Sequence, residues 1–252
     1  MSDDLIYEVS DGIGRATFNR PAQRNALTFA MYERMAEICD DPGDVRVLVI
    51  SGAGGAFAAG TDMTQFRAFE TPEDGWRYEE NMDAILARIE RCKIPTIAAI
   101  TGACTGGGAA IAACCDLRIC NDRLKFGFPI ARTLGNCLSI ASLARLSALI
   151  GQGRVRELLF TARLVGAEEA RALGLVMDIA DDPLSRAEEI AGTLKGHAPL
   201  TMRVTKEGLR RLRTEGAKAD DKDLVETCYM SDDFKEGMEA FLNKRKPEFT
   251  GR

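Results

Sequence analysis

The sequence predicts an α/β domain that runs out into a helical C-terminal region, and three observations carry that prediction. Strand-like and helix-like segments alternate as far as Pro183, and helical patterning alone follows. The runs "VRVLVIS" (45–51) and "IPTIAAIT" (94–101) are apolar on both faces, as strands buried in a parallel sheet are. A glycine-rich loop follows each run, at the strand ends where α/β sheets build their sites.

Taken in order, "LIYEVSDGIGRATFNRP" reads as two short strands joined at Asp11-Gly12, a hairpin signal, and stopped by Pro21. Thr28 caps a helix through Asp40 with Met31, Met35 and Ile38 on one face. After the buried strand 45–51 comes the loop "GAGGAFAAGTDM". Thr71-Pro72 then opens a helix to about Cys92, threonine as cap and proline in the first turn. The second buried strand leads to a helix opened by the triple glycine 106–108. "DLRICND" is a further strand, helices follow at 138–150, 154–161 and 168–173, and Gly174 ends the last as a left-handed cap. "LVMDI" is a short strand. From Pro183 onward the chain is helical, with breaks near Pro199, Gly216 and Ser231. The expected division is a core over 1–198 and a helical tail over 199–252.

Composition narrows the function classes. The 252 residues are 46% hydrophobic and 28% charged, with a net charge of −5, so nothing resembles the basic stripe of a nucleic-acid binder. The cluster Arg210, Arg211 and Arg213 reads as a solvated helix face, and Lys244, Arg245 and Lys246 form a second basic cluster. The acidic start "MSDDLIYEVSDG" lacks a secretory pattern and no apolar run is long enough to cross a bilayer, so a cytoplasmic protein with no membrane partner is expected. Eight cysteines lying mostly in apolar segments read as buried free thiols. Their spacing fits no zinc pattern, and the single histidine, His197, is far from them in sequence, so no metal is expected and a Ser-His-Asp triad is not supported.

The two glycine loops, over 52–62 and 102–108, have two readings. Glycine without a Cβ lets backbone N–H groups approach a ligand, and a helix N-terminus adds unpaired N–H groups and a positive dipole end. Two such amides aimed at one point would stabilise charge developing on an ester or thioester oxygen. Alternatively the glycines only allow tight strand-to-helix packing. A phosphate-binding loop is excluded, because Gly108-Ala109 stands where Lys-Ser/Thr is required.

Five segments occur in an order and spacing that resemble the crotonase superfamily, the enoyl-CoA hydratase/isomerase family, over essentially the whole chain. They are "FNRPAQRNAL", "GAGGAFAAGTDM", "CTGGGAAIAACCDLRI", "FTARLVGAEEARALGLV" and "FLNKRKPEF". The resemblance implies a spiral core of ββα turns, trimers or pairs of trimers, and an acyl-CoA substrate with no separate cofactor, since CoA is part of the substrate. It implies that the thioester oxygen sits between the amides of Thr61 and Gly107, the second preceded by Gly106. CoA contacts map onto Arg24 and Ala26, onto Ala59, Asp62 and Met63 of the first loop, and more weakly onto Phe241 and Lys244.

The same resemblance exposes two departures. Where the hydratase pattern has one glutamate shortly after the glycines and another after the proline of an "FG-x-P" segment, this chain has Ala110 and Ile130. Neither side chain can move a proton, so conventional hydration is in doubt. Asp62 reads as holding its own loop, and Asp116 as a cap or a local partner. Cys137 follows Gly135-Asn136, where dehalogenases of this family carry a nucleophilic aspartate. It is therefore either a thiol nucleophile near a helix N-terminus or a small buried packing residue. Arg132, Thr133 and Asn136 are expected to line the acyl pocket. The function expected is a thioester-binding enzyme that stabilises an enolate. Another reaction of the superfamily (isomerase, dehalogenase or thioester hydrolase) and a non-catalytic acyl-CoA-binding protein stand as alternatives.

Overall fold

The computed structural model describes residues 4–67 and 69–252, so the first three residues of the acidic N-terminal stretch lie outside it. Strands β1 (Leu5–Ser10) and β2 (Ile13–Phe18) form the expected antiparallel hairpin, turning through positive φ at Asp11 and Gly12. Parallel strands β3 (Val47–Gly52), β4 (Thr96–Ile100), β6 (Leu117–Cys120) and β8 (Asp178–Ile179) extend it to a sheet of order β1-β2-β3-β4-β6-β8. Alternation along β3 explains why it reads apolar on both faces. Leu48 and Ile50 enter the larger core, whereas Val47 and Val49 pack with Ile97, Ala187 and Ala191 beneath α7 (Pro183–Leu194).

Two strands escape the sequence reading. Ala103–Thr105 (β5) and Lys125–Gly127 (β7) pair in parallel as a small second sheet. With three residues each, they are too short to show a period. They complete two ββα turns: β4, β5 and α3 (Gly107–Cys114), then β6, β7 and α4 (Ile130–Thr133). "LVMDI" shrinks to two ladder residues because the carbonyl of Leu175 accepts from Arg118 Nε at 2.6 Å and its N–H bonds Ala170. The same buried guanidinium donates to the carbonyls of Ala112 and Cys115, fixing the C-terminal end of α3.

The caps on α1 (Phe29–Asp40) and α2 (Pro72–Glu90) are as expected. Thr28 accepts from Met31 N, and Thr71 and Asp74 form a capping box. The helices expected at 138–150 and 154–161 are one continuous stretch, α5 (Ile140–Thr161), that kinks at Gly151, where φ is +76°. The next helix, α6, covers Ala167–Ala172, and Gly174 follows at φ +72°. The tail is α8 (Pro199–Glu215), α9 (Lys222–Tyr229) and α10 (Asp232–Leu242).

Arg210, Arg211 and Arg213 are not a solvated face. Glu207 takes the first two, Asp223 also binds Arg211, and Arg213 reaches Glu90 at 2.6 Å. The tail carries apolar side chains at Met230, Phe234, Met238, Phe241 and Leu242, and they stay largely exposed, Met230, Phe241 and Leu242 at 69%, 83% and 70%. Among the described residues no helix is long and apolar enough to cross a membrane.

Candidate active site

The two glycine loops meet. Leu27 bridges to Thr61, its N–H taking the carbonyl of Gly60 and its carbonyl receiving the amide of Asp62. Those two bonds hold the chain on either side of Thr61 and leave the Thr61 amide turned away from them. Ala58 bridges to Cys104, and Thr105 N donates to its carbonyl at 3.0 Å, which lays the first loop against the start of α3. The three glycines there answer to distinct demands. Gly106 takes φ +52° and ψ −120°, a conformation side chains oppose. A Cβ on Gly107 would stand 1.6 Å from the Tyr32 hydroxyl, and one on Gly108 would stand 2.4 Å from the Ala58 carbonyl. The packing reading of the loops therefore holds, and that packing sets Thr61 beside Gly107, where a Cβ on Gly107 would stand 3.1 Å from Thr61 Oγ1. Gly107 is the first residue of α3, so its N–H has no helical acceptor. Among the described residues neither amide donates a hydrogen bond within the protein.

Both loops form the wall of a cavity of about 310 Å³. Of the residues singled out from sequence, it gathers Ala59, Thr61, Met63, Gly106, Gly107, Ala110, Ile130, Thr133, Asn136 and Cys137. Ala110 and Ile130, which stand at the expected acid positions, line it with methyl groups.

Other expected residues lie elsewhere. Arg132 is exposed and outside the cavity, because the single turn of α4 sets Ile130, Thr133 and Leu134 along the cavity rim and leaves Ala131 and Arg132 off it. Arg24, Ala26, Phe241 and Lys244 do not line it either. Asp62 is turned away: its carboxylate accepts from the amide and hydroxyl of Thr64 and from Arg20 at 3.1 Å. Those bonds, Thr64 first, hold its pKa below the ordinary value, as a loop-fixing carboxylate requires. Asp116 binds the amide and hydroxyl of Thr96 at 2.7 and 2.9 Å and pairs with Lys206, partners distant in sequence rather than local ones. His197 is exposed and does not line the cavity. Six cysteines are buried, but Cys137 is exposed at the cavity, which rules out the reading of it as a buried packing residue.

Sequence reasoning missed one side of the cavity. Tyr78, Glu79, Met82, Asp83 and Leu86 of α2 line it, with Tyr32 of α1 and Phe66. Met82 and Leu86 were legible as the apolar face of α2. Two carboxylates at i and i+4 on the edge of that same stripe were the available signal. Tyr32 and Thr61 share a hydrogen bond of 2.8 Å, and the Tyr78 hydroxyl lies 3.5 Å from the same Thr61 oxygen. Burial pushes both phenols above their ordinary pKa, so they act as neutral hydrogen-bonding groups. Phe66 packs on Tyr78 edge-on at 4.8 Å, and Phe29 joins them. Glu79 is half-buried beside this cluster. Its carboxyl is raised above the ordinary range by burial first and by the charge of Asp83 second.

An apolar cavity with two free amides at its wall and carboxylates on one side is suited to polarising a carbonyl and moving a proton beside it. The family model for enoyl-CoA hydratase/isomerase matches residues 8–252. The short-chain-enoyl-CoA hydratase of Clostridium acetobutylicum is 31% identical, over 98% of this chain and 97% of its own. The peroxisomal Delta(3,5)-Delta(2,4)-dienoyl-CoA isomerase of Arabidopsis thaliana is 33% identical over 92% and 90%. Among solved structures, an enoyl-CoA hydratase/isomerase family protein from Hyphomonas neptunium superposes with a TM-score of 0.89 at 33% identity, covering 99% of this chain and 98% of that one. The ββα turns, the sheet order and these full-length matches agree, and the chain belongs to the enoyl-CoA hydratase/isomerase family.

Proposed function

We propose that this protein binds an acyl-CoA thioester with its carbonyl oxygen between the amides of Thr61 and Gly107, and promotes chemistry through the enolate formed there. The observation that carries this reading is the pair of unpartnered amides, from two strand-end loops packed together, on the wall of one cavity. Charge that develops on the thioester oxygen would meet two fixed N–H dipoles, one of them at the positive end of α3. Relatives named as hydratases and isomerases of enoyl-CoA support the substrate class.

Hydration through the usual acid pair is not the reaction we assign. Methyl groups occupy both acid positions, and loss of one positioned acid or base typically costs about 10²–10⁴-fold. Proton transfer next to the thioester, as in an isomerase, needs fewer groups and fits the cavity better. The exposed stripe of α9 and α10 supports assembly as a trimer or hexamer, burying Met230, Phe241 and Leu242 against a neighbour.

Titration calorimetry tests the core of this reading. Butyryl-CoA should bind and free butyrate should not, while crotonyl-CoA should be hydrated at least 100-fold more slowly than by a family member carrying both glutamates. Absence of butyryl-CoA binding at any accessible concentration refutes the assignment, and rapid hydration refutes the account of the acids. Light scattering on the same sample should give a mass of three or six chains, and a monomer would count against the tail as an assembly surface.

A further inference from the structure

We propose that Glu79, on the cavity side of α2, is the carboxylate that removes and returns the proton, in place of the acids absent at Ala110 and Ile130. This rests on the acyl-CoA reading above and adds a named base to it.

Among the described residues the cavity is lined by two carboxylates, Glu79 and Asp83, one helical turn apart. Their surroundings differ. Asp83 is engaged: the Ser139 hydroxyl donates to it at 2.6 Å, and the buried guanidinium of Arg145 lies 3.9 Å away. Arg145 Nη1 has no hydrogen-bond partner, and Asp83 is the carboxylate it faces. Asp83 thus fastens α2 to the start of α5. Glu79 has no such task. It accepts no hydrogen bond and makes no ion pair among the described residues, although it is half-buried beside Tyr78 and Met82. A carboxylate partly withheld from water with no partner costs the fold some stability, and a structural role offers nothing in return. A group meant to exchange a proton with a substrate has to be kept free in this way.

The groups facing Glu79 do not compete for that role. On its own helix stand Asp83 and the Tyr78 phenol. Across the cavity α1 presents the Tyr32 phenol, and the segment before α5 presents the Cys137 thiol with Asn136. Arg145 of α5 is turned to Asp83 and Glu90. The burial and the neighbouring charge that raise the Glu79 carboxyl make it a stronger base than an ordinary glutamate.

The step balances without a co-reactant. The Glu79 carboxylate takes a proton from the carbon next to the thioester. The C–H electron pair becomes the enolate double bond, and the thioester oxygen takes the negative charge between the amides of Thr61 and Gly107. Glu79, now neutral and only partly buried, swaps its proton with solvent and delivers a solvent-derived proton to the same carbon, which gives exchange. With a β,γ-unsaturated chain it delivers the proton to the γ carbon instead, and the double bond moves into conjugation. One carboxylate suffices for either outcome.

The experiment uses the full-length protein with butyryl-CoA in D2O, reading deuterium at the α carbon by mass spectrometry, beside calorimetric binding of the same thioester. Wild-type protein should exchange, and Glu79→Gln should bind butyryl-CoA with unchanged Kd while exchanging at least 100-fold more slowly. Asp83→Asn should shift the acid limb of the exchange-rate profile to lower pH, because removing the neighbouring charge lets Glu79 ionise sooner. Unaltered binding also shows that the variant is folded. Equal exchange by Glu79→Gln and wild type, or binding by wild type without exchange, overturns the role of Glu79 and leaves thioester binding standing. No binding by wild type overturns both.

Discussion

Gly107→Ala tests how tightly the start of α3 is locked against the first glycine loop. The added methyl would lie 1.6 Å from the Tyr32 hydroxyl oxygen, 2.8 Å from its Cζ and 3.1 Å from Thr61 Oγ1. Ordinary contact begins at 3.4 Å, so methyl and hydroxyl must separate by about 1.8 Å. Tyr32 is 1% exposed and bonded to Thr61 at 2.8 Å, so its ring has nowhere to swing. The start of α3 therefore moves, or the Tyr32–Thr61 bond breaks. Overpacking of this kind costs about 1–3 kcal/mol, and loss of the hydrogen bond adds about 1 kcal/mol. At about 2–4 °C per kcal/mol for a chain near this size, Tm should fall by roughly 4–16 °C. Displacing the Gly107 amide by about 1 Å should also lower turnover about 100-fold.

The assay is a thermal melt beside α-carbon exchange on butyryl-CoA, in Gly107→Ala, Tyr32→Phe and the double variant. Removing the hydroxyl relieves the closest contact and leaves the one at 2.8 Å, so the double variant should recover part of the loss. The coupling should be at least about 0.5 kcal/mol, as expected for residues in contact. If Gly107→Ala melts and turns over like wild type, the contact with Tyr32 does not hold the amide, and the argument for a fixed donor pair fails.

Two further outcomes follow from single residues. Cys137 should be the first of the eight cysteines alkylated by iodoacetamide, as six are buried and Cys228 is half-buried, and butyryl-CoA should slow that reaction by covering the cavity wall. Cys137→Ser should keep exchange within a few-fold, and its loss would make the thiol a participant. Glu207 binds Arg210 and Arg211 at 2.7 Å, bonds that depress its carboxyl to about 2. Its folded pKa lies below its unfolded one, so its contribution is complete above about pH 4.5 and disappears as pH falls toward 2. Glu207→Gln should be less stable than wild type near neutrality by under about 1 kcal/mol per pair, solvent screening included. The gap in Tm should close as pH drops below 4.5, and a gap independent of pH would remove the ion pairs as its cause.

The sequence exposed what repeats with a period or depends on glycine. β3 and β4 were legible from apolar runs, the caps from Thr28 and Thr71, and the meeting loops from their glycines. The β5–β7 pair was not, because three residues cannot display alternation, and "GACT" reads equally as loop. Arg132 was misplaced because chain proximity to Ile130 says nothing about which side of one helical turn it occupies. The basic cluster on α8 was misread because, besides Glu207 on the same helix, two of its partners, Asp223 and Glu90, come from other helices. Glu79 and Asp83 escaped for a related reason. On α2 they read as the polar border of an apolar stripe, and only the tertiary fold shows that this border faces a cavity rather than solvent.

That difference has a physical origin. The donors proposed for the thioester oxygen are backbone amides, so the sequence constrains them only through the glycines that let two loops touch, and such a requirement leaves a visible motif. A group that moves a proton is a side chain, and any element along the cavity wall can supply it. Substituting at one wall position therefore redirects the chemistry without disturbing the amides, the sheet or the glycine helix, which is how one fold supports several reactions. In this chain α3 and α4 offer methyl groups at Ala110 and Ile130, while α2 offers carboxylates to the same space. Asp83 is spent on Ser139 and Arg145, and that fastening keeps the helix face, and Glu79 with it, turned toward the cavity. The two acids of α2 thus divide into one that fixes the helix and one left free to react, an arrangement that neither carboxylate would provide alone.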